Sequence, residues 1–260
     1  MSDTPCSAEV EGVCVRYGGY LDISLRNGMI AAKALPGQFI MLKGHDGLSP
    51  ILGRPFDIAD ADPERGTFRV VVKVRGAGTE LLRQLPPDAE IPVLGPLGKG
   101  VEIASRKQVG LLARGVGAAA VTLLAKRARQ AGVKVVVFLS ANTARRLVCL
   151  DDFEETGCEV FVATDDGSAG YHGNATDLLS DYIRQHPLEA VYTCGSRRFA
   201  RFVDTLDAGG KTAGFVFMEG YMACGLGNCH GCAVKRRNNE GYLLVCKDGP
   251  VFPVSEVVLE

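Results

Sequence analysis

The sequence has no run of eighteen apolar residues, so no helix is expected to span a bilayer. Nor does it have a cluster of one charge sign: 29 Lys and Arg stand against 30 Asp and Glu, a formal net charge of −1. Charge spread this evenly leaves no electrostatic footprint for nucleic acid or for an anionic membrane surface. The first residues, Met-Ser-Asp-Thr-Pro-Cys, lack the basic-then-apolar order of a secretion signal. Nine cysteines in such a chain lead us to expect reduced thiols and a cytoplasmic protein, not a disulfide framework. No Ser-His-Asp or paired-carboxylate pattern stands out, so hydrolytic catalysis has no support. Internal repeats and low-complexity tracts are absent as well.

What is present is length and apolar content: 260 residues, 47% of them hydrophobic, enough for two ordinary domains and a small module. Residues 8–100 read as an all-β unit. Ala8–Tyr17 and Tyr20–Leu25 are strands joined at Gly18-Gly19, a hairpin signal. Phe39–Lys43, Arg54–Ala59 and Thr67–Val74 are further strands, and short strands at this spacing predict a small barrel. Thr79–Gln84 reads as one short helix and Gly95–Gly100 as the exit loop. Residues 107–219 change character. The apolar runs Gln108–Ala113, Val133–Leu139, Cys158–Ala163, Ala190–Thr193 and Phe215–Met218 alternate with helical stretches at Ala118–Gln130, Thr176–Gln185 and Arg198–Leu206. Continuous β-branched runs between helices predict an open parallel sheet with a ligand crevice at its strand ends.

The last forty residues hold the densest chemistry. Cys224, Cys229 and Cys232 are spaced C-x4-C-x2-C, and Cys246 follows after thirteen residues. That is the plant-type [2Fe–2S] ligand pattern. Gly225, Gly227 and Gly231 suit a loop that needs positive φ and close backbone approach to sulfur. Four thiolates also suit zinc, but zinc ribbons pair their cysteines as two C-x2-C knuckles, so zinc ranks second and disulfides third. A hairpin of Ala233–Lys235 against Tyr242–Val245, turning at Asn238–Gly241, would return Cys246 to the other three. Cys6, Cys14, Cys149 and Cys158 have no metal-like spacing. His45, His172 and His186 are dispersed, and His230, inside the loop, is superfluous as a ligand.

Three weaker features lie upstream. Arg54-Pro55-Phe56-Asp57 offers a guanidinium fork for a phosphate, although alone it reads as a rigid strand start. Gly76-Ala77-Gly78-Thr79 precedes a helix whose first amides could take a phosphate oxygen. Gly115-Val116-Gly117 opens another helix, and Thr193-Cys194-Gly195 ends a strand that could face the same crevice. Each alone is an ordinary turn, and Cys194 is equally at home as a small buried hydrophobe. Their common order ahead of the cysteine loop makes them informative.

That order resembles the ferredoxin-reductase-like flavoproteins over essentially the whole chain. The match is most specific to the electron-transfer subunits of class 1B dihydroorotate dehydrogenases, in Met222–Val234 and Val245–Phe252. The resemblance implies a flavin-binding β-barrel (1–102), an open parallel-sheet nucleotide-binding domain (103–219) and a C-terminal [2Fe–2S] module (220–260). It places FAD on Arg54, Pro55, Phe56 and Asp57, on Val71, Val72 and Lys73, and on the phosphate loop Gly78 and Thr79. It places a nicotinamide nucleotide near Gly115, Gly117, Cys194 and Gly195, and the cluster on Cys224, Cys229, Cys232 and Cys246. The implied protein is an oxidoreductase subunit of pyrimidine biosynthesis. It passes electrons between NAD at FAD and an FMN-containing catalytic partner, assembled as a heterotetramer. An apolar face of Met218, Tyr221, Met222 and Leu226 serves either that docking or internal packing. Two alternatives stand beside it: the same module serving another dehydrogenase with little or no NAD binding, and a non-catalytic regulator with a structural metal site.

The chain departs from the family twice. Asp57 stands where Ser or Thr is usual, and a carboxylate there disfavours extra negative charge on a flavin. The nucleotide loop reads Ala113-Arg-Gly-Val-Gly117 where the family begins Gly-Gly-Gly-x-Gly. Arg114 either holds a phosphate or fills the site.

Overall fold

The computed structural model describes residues 6–44, 50–103, 105–238 and 240–259. His45 and Asn239, named above, and the first five residues lie outside them. The first unit is one seven-stranded antiparallel sheet in the order β4-β3-β7-β1-β2-β6-β5. Its strands are β1 (Cys6–Arg16), β2 (Tyr20–Arg26), β3 (Phe39–Leu42), β4 (Arg54–Asp57), β5 (Asp60–Asp62), β6 (Thr67–Val72) and β7 (Glu90–Leu97). Its two edges, β4 and β5, are consecutive in the chain, and between them the Ile58 amide donates to the Gln38 carbonyl and the Ala59 amide to the Arg69 carbonyl, so the sheet coils into the expected barrel-like form. Gly95-Pro96-Leu97, expected in an exit loop, ends β7, where Leu97 pairs with Phe39. Two helices cross this unit, α1 (Gly28–Lys33) and α2 (Ala77–Arg83).

The β1–β2 hairpin turns through Tyr17, Gly18 and Gly19, all at positive φ, the conformation that two adjacent glycines make accessible. Inside the coil, Val10, Leu21, Ile23, Leu25, Ile40, Phe68, Val70 and Val72 form one apolar core.

The second unit is a sheet in the order β11-β10-β9-β8-β12-β13-β16. It is built from β8 (Gln108–Arg114), α3 (Gly117–Gln130), β9 (Lys134–Ala141), α4 (Leu150–Glu155), β10 (Glu159–Thr164), β11 (Tyr171–His172), α5 (Ala175–Gln185), β12 (Ala190–Cys194), α6 (Arg197–Ala208) and β13 (Ala213–Phe217). All its neighbours run parallel except β16 (Val251–Pro253), which pairs antiparallel with β13. The order reverses between β8 and β12, and that reversal opens a crevice at their carboxyl ends. Helix α3 is buried from Gly117 to Ala125, because the sheet covers one side and the coiled sheet the other. Asn174 and Ser196 cap α5 and α6 with their side-chain oxygens, each cap contributing about 1 kcal/mol.

The last segment holds β14 (Ala233–Lys235), β15 (Tyr242–Leu244) and α7 (Val245–Asp248), the first two a small hairpin. All three parts share apolar surface. Phe39, Met41 and Leu97 join Val216, Cys232, Val245 and Cys246 in one buried cluster. Tyr20, Ala59 and Val71 join Ala118 and Leu124 in another. Lys126 to Asp60, at 2.6 Å, and Arg69 to Asp22 and Asp152 add ion pairs at the same seam. No helix among the described residues is long and apolar enough to cross a membrane.

Candidate electron-transfer site

The cysteine loop lies between β13 and β14, and α7 carries Cys246 back to it. Gly225 and Gly227 have φ of +71° and +84°; a Cβ on Gly225 would sit 2.8 Å from Met41 Cγ. The remaining positive φ of the loop falls on His230, which is exposed, and not on Gly231. Gly231 contributes closeness: a Cβ there would lie 3.6 Å from Cys229 Sγ.

The four thiols stand as two pairs. Cys232 Sγ is 3.3 Å from Cys246 Sγ, and Cys229 is joined to Cys224 through its own amide on the Cys224 sulfur. Backbone amides point at the sulfurs: Leu226 and Cys229 donate to Cys224 at 3.4 Å, Gly231 to Cys229 at 3.5 Å and Cys246 to Cys232 at 3.5 Å. Among the described residues no three His, Cys, Asp or Glu side chains gather tightly enough for one ion. Thiols in two pairs fit a binuclear iron–sulfide core, in which each iron takes two thiolates, better than one tetrahedral ion. Burial opposes ionisation of Cys224, yet the amides of Cys229, Leu226 and Asn228 outweigh it and bring the thiol down to about 6. Burial and the Cys232 thiol push Cys246 up to about 12.

The flavin-side residues gather on β4 and at the start of α2. Gly78 lies flat beneath the Arg54 guanidinium, so close that a Cβ there would be 2.3 Å from Arg54 Cζ. Arg54 also donates to the Leu52 carbonyl. Thr79 Oγ1 accepts from the amides of Arg75 and Gly76, at 2.9 and 3.1 Å, and shapes the turn before α2. A bare glycine under a fork at a helix start fits a diphosphate group such as that of FAD. Val71 and Val72 are buried in two different apolar clusters, so of that trio only exposed Lys73 lines the crevice with its side chain. Asp57 ends β4; burial and then the charge of Glu219 push its carboxyl up to about 7.

The crevice has a volume of about 910 Å³ and is walled by Lys73, Gly115, Cys194, Gly195, Glu219 and Tyr221, with Arg114 at one side. Gly117 meets Gly195 backbone to backbone: a Cβ on Gly117 would be 2.6 Å from Gly195 Cα. Cys194 is buried, and burial, with Asp57 and Glu219 adding to it, raises its thiol well above the ordinary range. Met218, Met222 and Leu226 pack onto the apolar core, whereas Tyr221 is 95% exposed. Glu219, and the partners of Arg114, were missed in the sequence. Arg114 pairs in register with Ser140, so aligning the ends of the parallel strands would have found that contact.

A coiled antiparallel sheet, a parallel sheet with a crevice at its reversal and an appended thiol loop define a ferredoxin-reductase-type electron-transfer flavoprotein. Residues 219–258 match the iron-sulfur cluster binding domain of dihydroorotate dehydrogenase B. The chain is 30% identical to the electron transfer subunit of dihydroorotate dehydrogenase B (NAD(+)) from Fusobacterium nucleatum, over 98% of each chain. It is 33% identical to the same subunit from Desulforamulus reducens, over 89% of each. A solved structure of NADH-dependent reduced ferredoxin-NADP oxidoreductase superposes with a TM-score of 0.86 and 30% identity, covering 100% of this chain and 92% of that one. The chain belongs to the family of dihydroorotate dehydrogenase B electron transfer subunits. Its cofactors are FAD and a [2Fe–2S] cluster.

Proposed function

We propose that the chain links a nicotinamide nucleotide to an FMN-containing dihydroorotate dehydrogenase subunit, which docks where the cysteine loop reaches the surface near Tyr221. The carrying observation is the paired set of thiols, with amides aimed at sulfur, held on Met41 and Leu97 of the flavin-side sheet. FAD, when bound, converts a hydride's two electrons into single electrons, and the cluster holds one at a time. The chain's residues then have separate tasks. Arg54, Gly78 and Thr79 hold the diphosphate end of FAD, while Pro55, Phe56 and Asp57 line the flavin with Lys73 and the backbone of Val71 and Val72. Gly115, Gly117, Cys194 and Gly195 form the nucleotide side of the crevice. Cys224, Cys229, Cys232 and Cys246 hold the irons. Asp57, whose carboxyl burial and Glu219 raise to about 7, is the group of this set able to exchange a proton near neutrality.

In this reading the three parts are residues 1–102, 103–219 and 220–260, the assembly is a heterotetramer with two copies of each subunit, and the compartment is the cytoplasm. The same architecture serves a differently named oxidoreductase at equal identity, so the catalytic partner is what separates the leading function from its alternative. The test is purification of the native complex with analysis of iron, acid-labile sulfide, FAD and FMN. A co-purifying FMN subunit that oxidises dihydroorotate supports the proposal. A partner without that activity favours the alternative, and zinc in place of iron refutes both.

A further inference from the structure

Arg114 ends β8, the strand beside which the sheet order reverses. Its guanidinium is bound on three sides. Nη1 donates to Ser140 Oγ at 2.7 Å and to Asp165 Oδ1 at 3.1 Å; Nη2 donates to Asn142 Oδ1 at 2.9 Å and to Asp165 Oδ2. Ser140 lies near the end of β9, Asn142 follows that strand, and Asp165 follows β10. One side chain therefore ties together the carboxyl ends of three adjacent parallel strands, where an α/β sheet binds its ligand. It also stands between two cavities, the 910 Å³ crevice and a 340 Å³ one lined by Asp165, Asn174, Ser196 and Arg198.

The two kinds of partner differ. Ser140 is fully buried, so its contact is fixed, while the Asp165 side chain is 49% exposed and can turn to water. The guanidinium already holds the Asp165 carboxyl below its ordinary range, a sign of a formed two-point pair. A diphosphate presents the same parallel oxygens with more charge, and it competes for the same fork.

We propose that Arg114 is a latch on the nucleotide crevice: Asp165 holds its fork in the free chain, and the diphosphate of an entering dinucleotide takes the fork over. Ser140 keeps the guanidinium aimed while its anionic partner changes. The inference rests on the reading that this crevice takes a nicotinamide nucleotide.

Calorimetric titration of the flavin- and cluster-loaded chain, fully reduced beforehand so that NADH binds without transferring electrons, with inorganic pyrophosphate and with NADH tests it. Arg114→Ala is expected to weaken both ligands by roughly tenfold or more, the effect of losing a charged two-point contact. Arg114→Lys, which keeps the charge without the fork, is expected to fall between it and the wild type. Asp165→Asn is expected to tighten pyrophosphate, because the competing carboxylate is gone. If Arg114→Ala or Arg114→Gly binds NADH more tightly than the wild type, Arg114 is a plug; the latch is overturned and the nucleotide reading survives. If no form binds NADH at millimolar concentration, the nucleotide reading fails and the latch fails with it.

Discussion

The cysteine loop and the loop proposed to take the nucleotide are both glycine turns, yet they are built in opposite ways. In the cysteine loop, glycines at 225 and 227 let backbone amides converge on sulfur, and side chains stay out of the way. In the nucleotide loop, Gly117 is spent on packing against Gly195, and an arginine occupies the ground where bare backbone would meet a phosphate. A backbone-built site is ready before its ligand arrives. A site closed by an ion pair must exchange a partner first, so its affinity is set by a competition. For electrons supplied as NADH, the proposed outlet at the cluster is thus the rigid end of this molecule and the proposed inlet at the nucleotide loop the adjustable one.

The largest expected effect lies at the outlet. Cys229→Ser removes one thiolate of a pair and should abolish the cluster while leaving FAD bound, read as loss of iron and sulfide at unchanged flavin content. Full iron content in that variant would break the contrast. A smaller effect separates the two sets of glycines. Gly117→Ala places a methyl 2.6 Å from backbone, whereas Gly225→Ala meets the flexible Met41 side chain at 2.8 Å. The inlet substitution should cost about 3 kcal/mol and the outlet one about 1–2 kcal/mol, measured by denaturant unfolding. Equal costs would remove the distinction between a backbone obstacle and a side-chain one.

The smallest effect concerns Asp57. Its folded pKa, about 7, lies above the ordinary 3.8, so the folded chain binds this proton more tightly than the unfolded chain does. That contribution is complete below the ordinary value and is lost as pH rises through about 7. The wild-type chain, free of cofactor, should therefore lose stability between pH 5 and 8. Asp57→Asn should flatten that slope, read as a Tm that no longer falls across the same pH range. An unchanged slope would take Asp57 out of the account.

Legibility in the sequence followed locality. The Gly18-Gly19 hairpin, the β-branched run of β9 and the C-x4-C-x2-C spacing are short-range signals, and the structure carries an element at each. Strand β7 was hidden because Pro92, Gly95 and Pro96 punctuate it like a loop, although Pro92 sits opposite Ser7 in the ladder. Helices α1 and α4 have six residues each, too few to show a period, and β16 has three. The partners of Arg114 lie 26, 28 and 51 residues away, so only the parallel register brings them together. Glu219 reaches Asp57 in the same non-local way. Spacing found the outlet because its ligands are neighbours in the chain; the inlet depends on strand ends that meet only in the fold.

The central claim is that one crevice passes electrons between a nucleotide held at Arg114 and the paired thiols. Anaerobic titration of the loaded chain with NADH, followed at the flavin and cluster absorption bands, tests it directly. The account predicts that both bands bleach in the wild type, and that Arg114→Ala needs roughly tenfold more NADH for the same change. Bands that stay unchanged under NADH yet bleach with dithionite would contradict it.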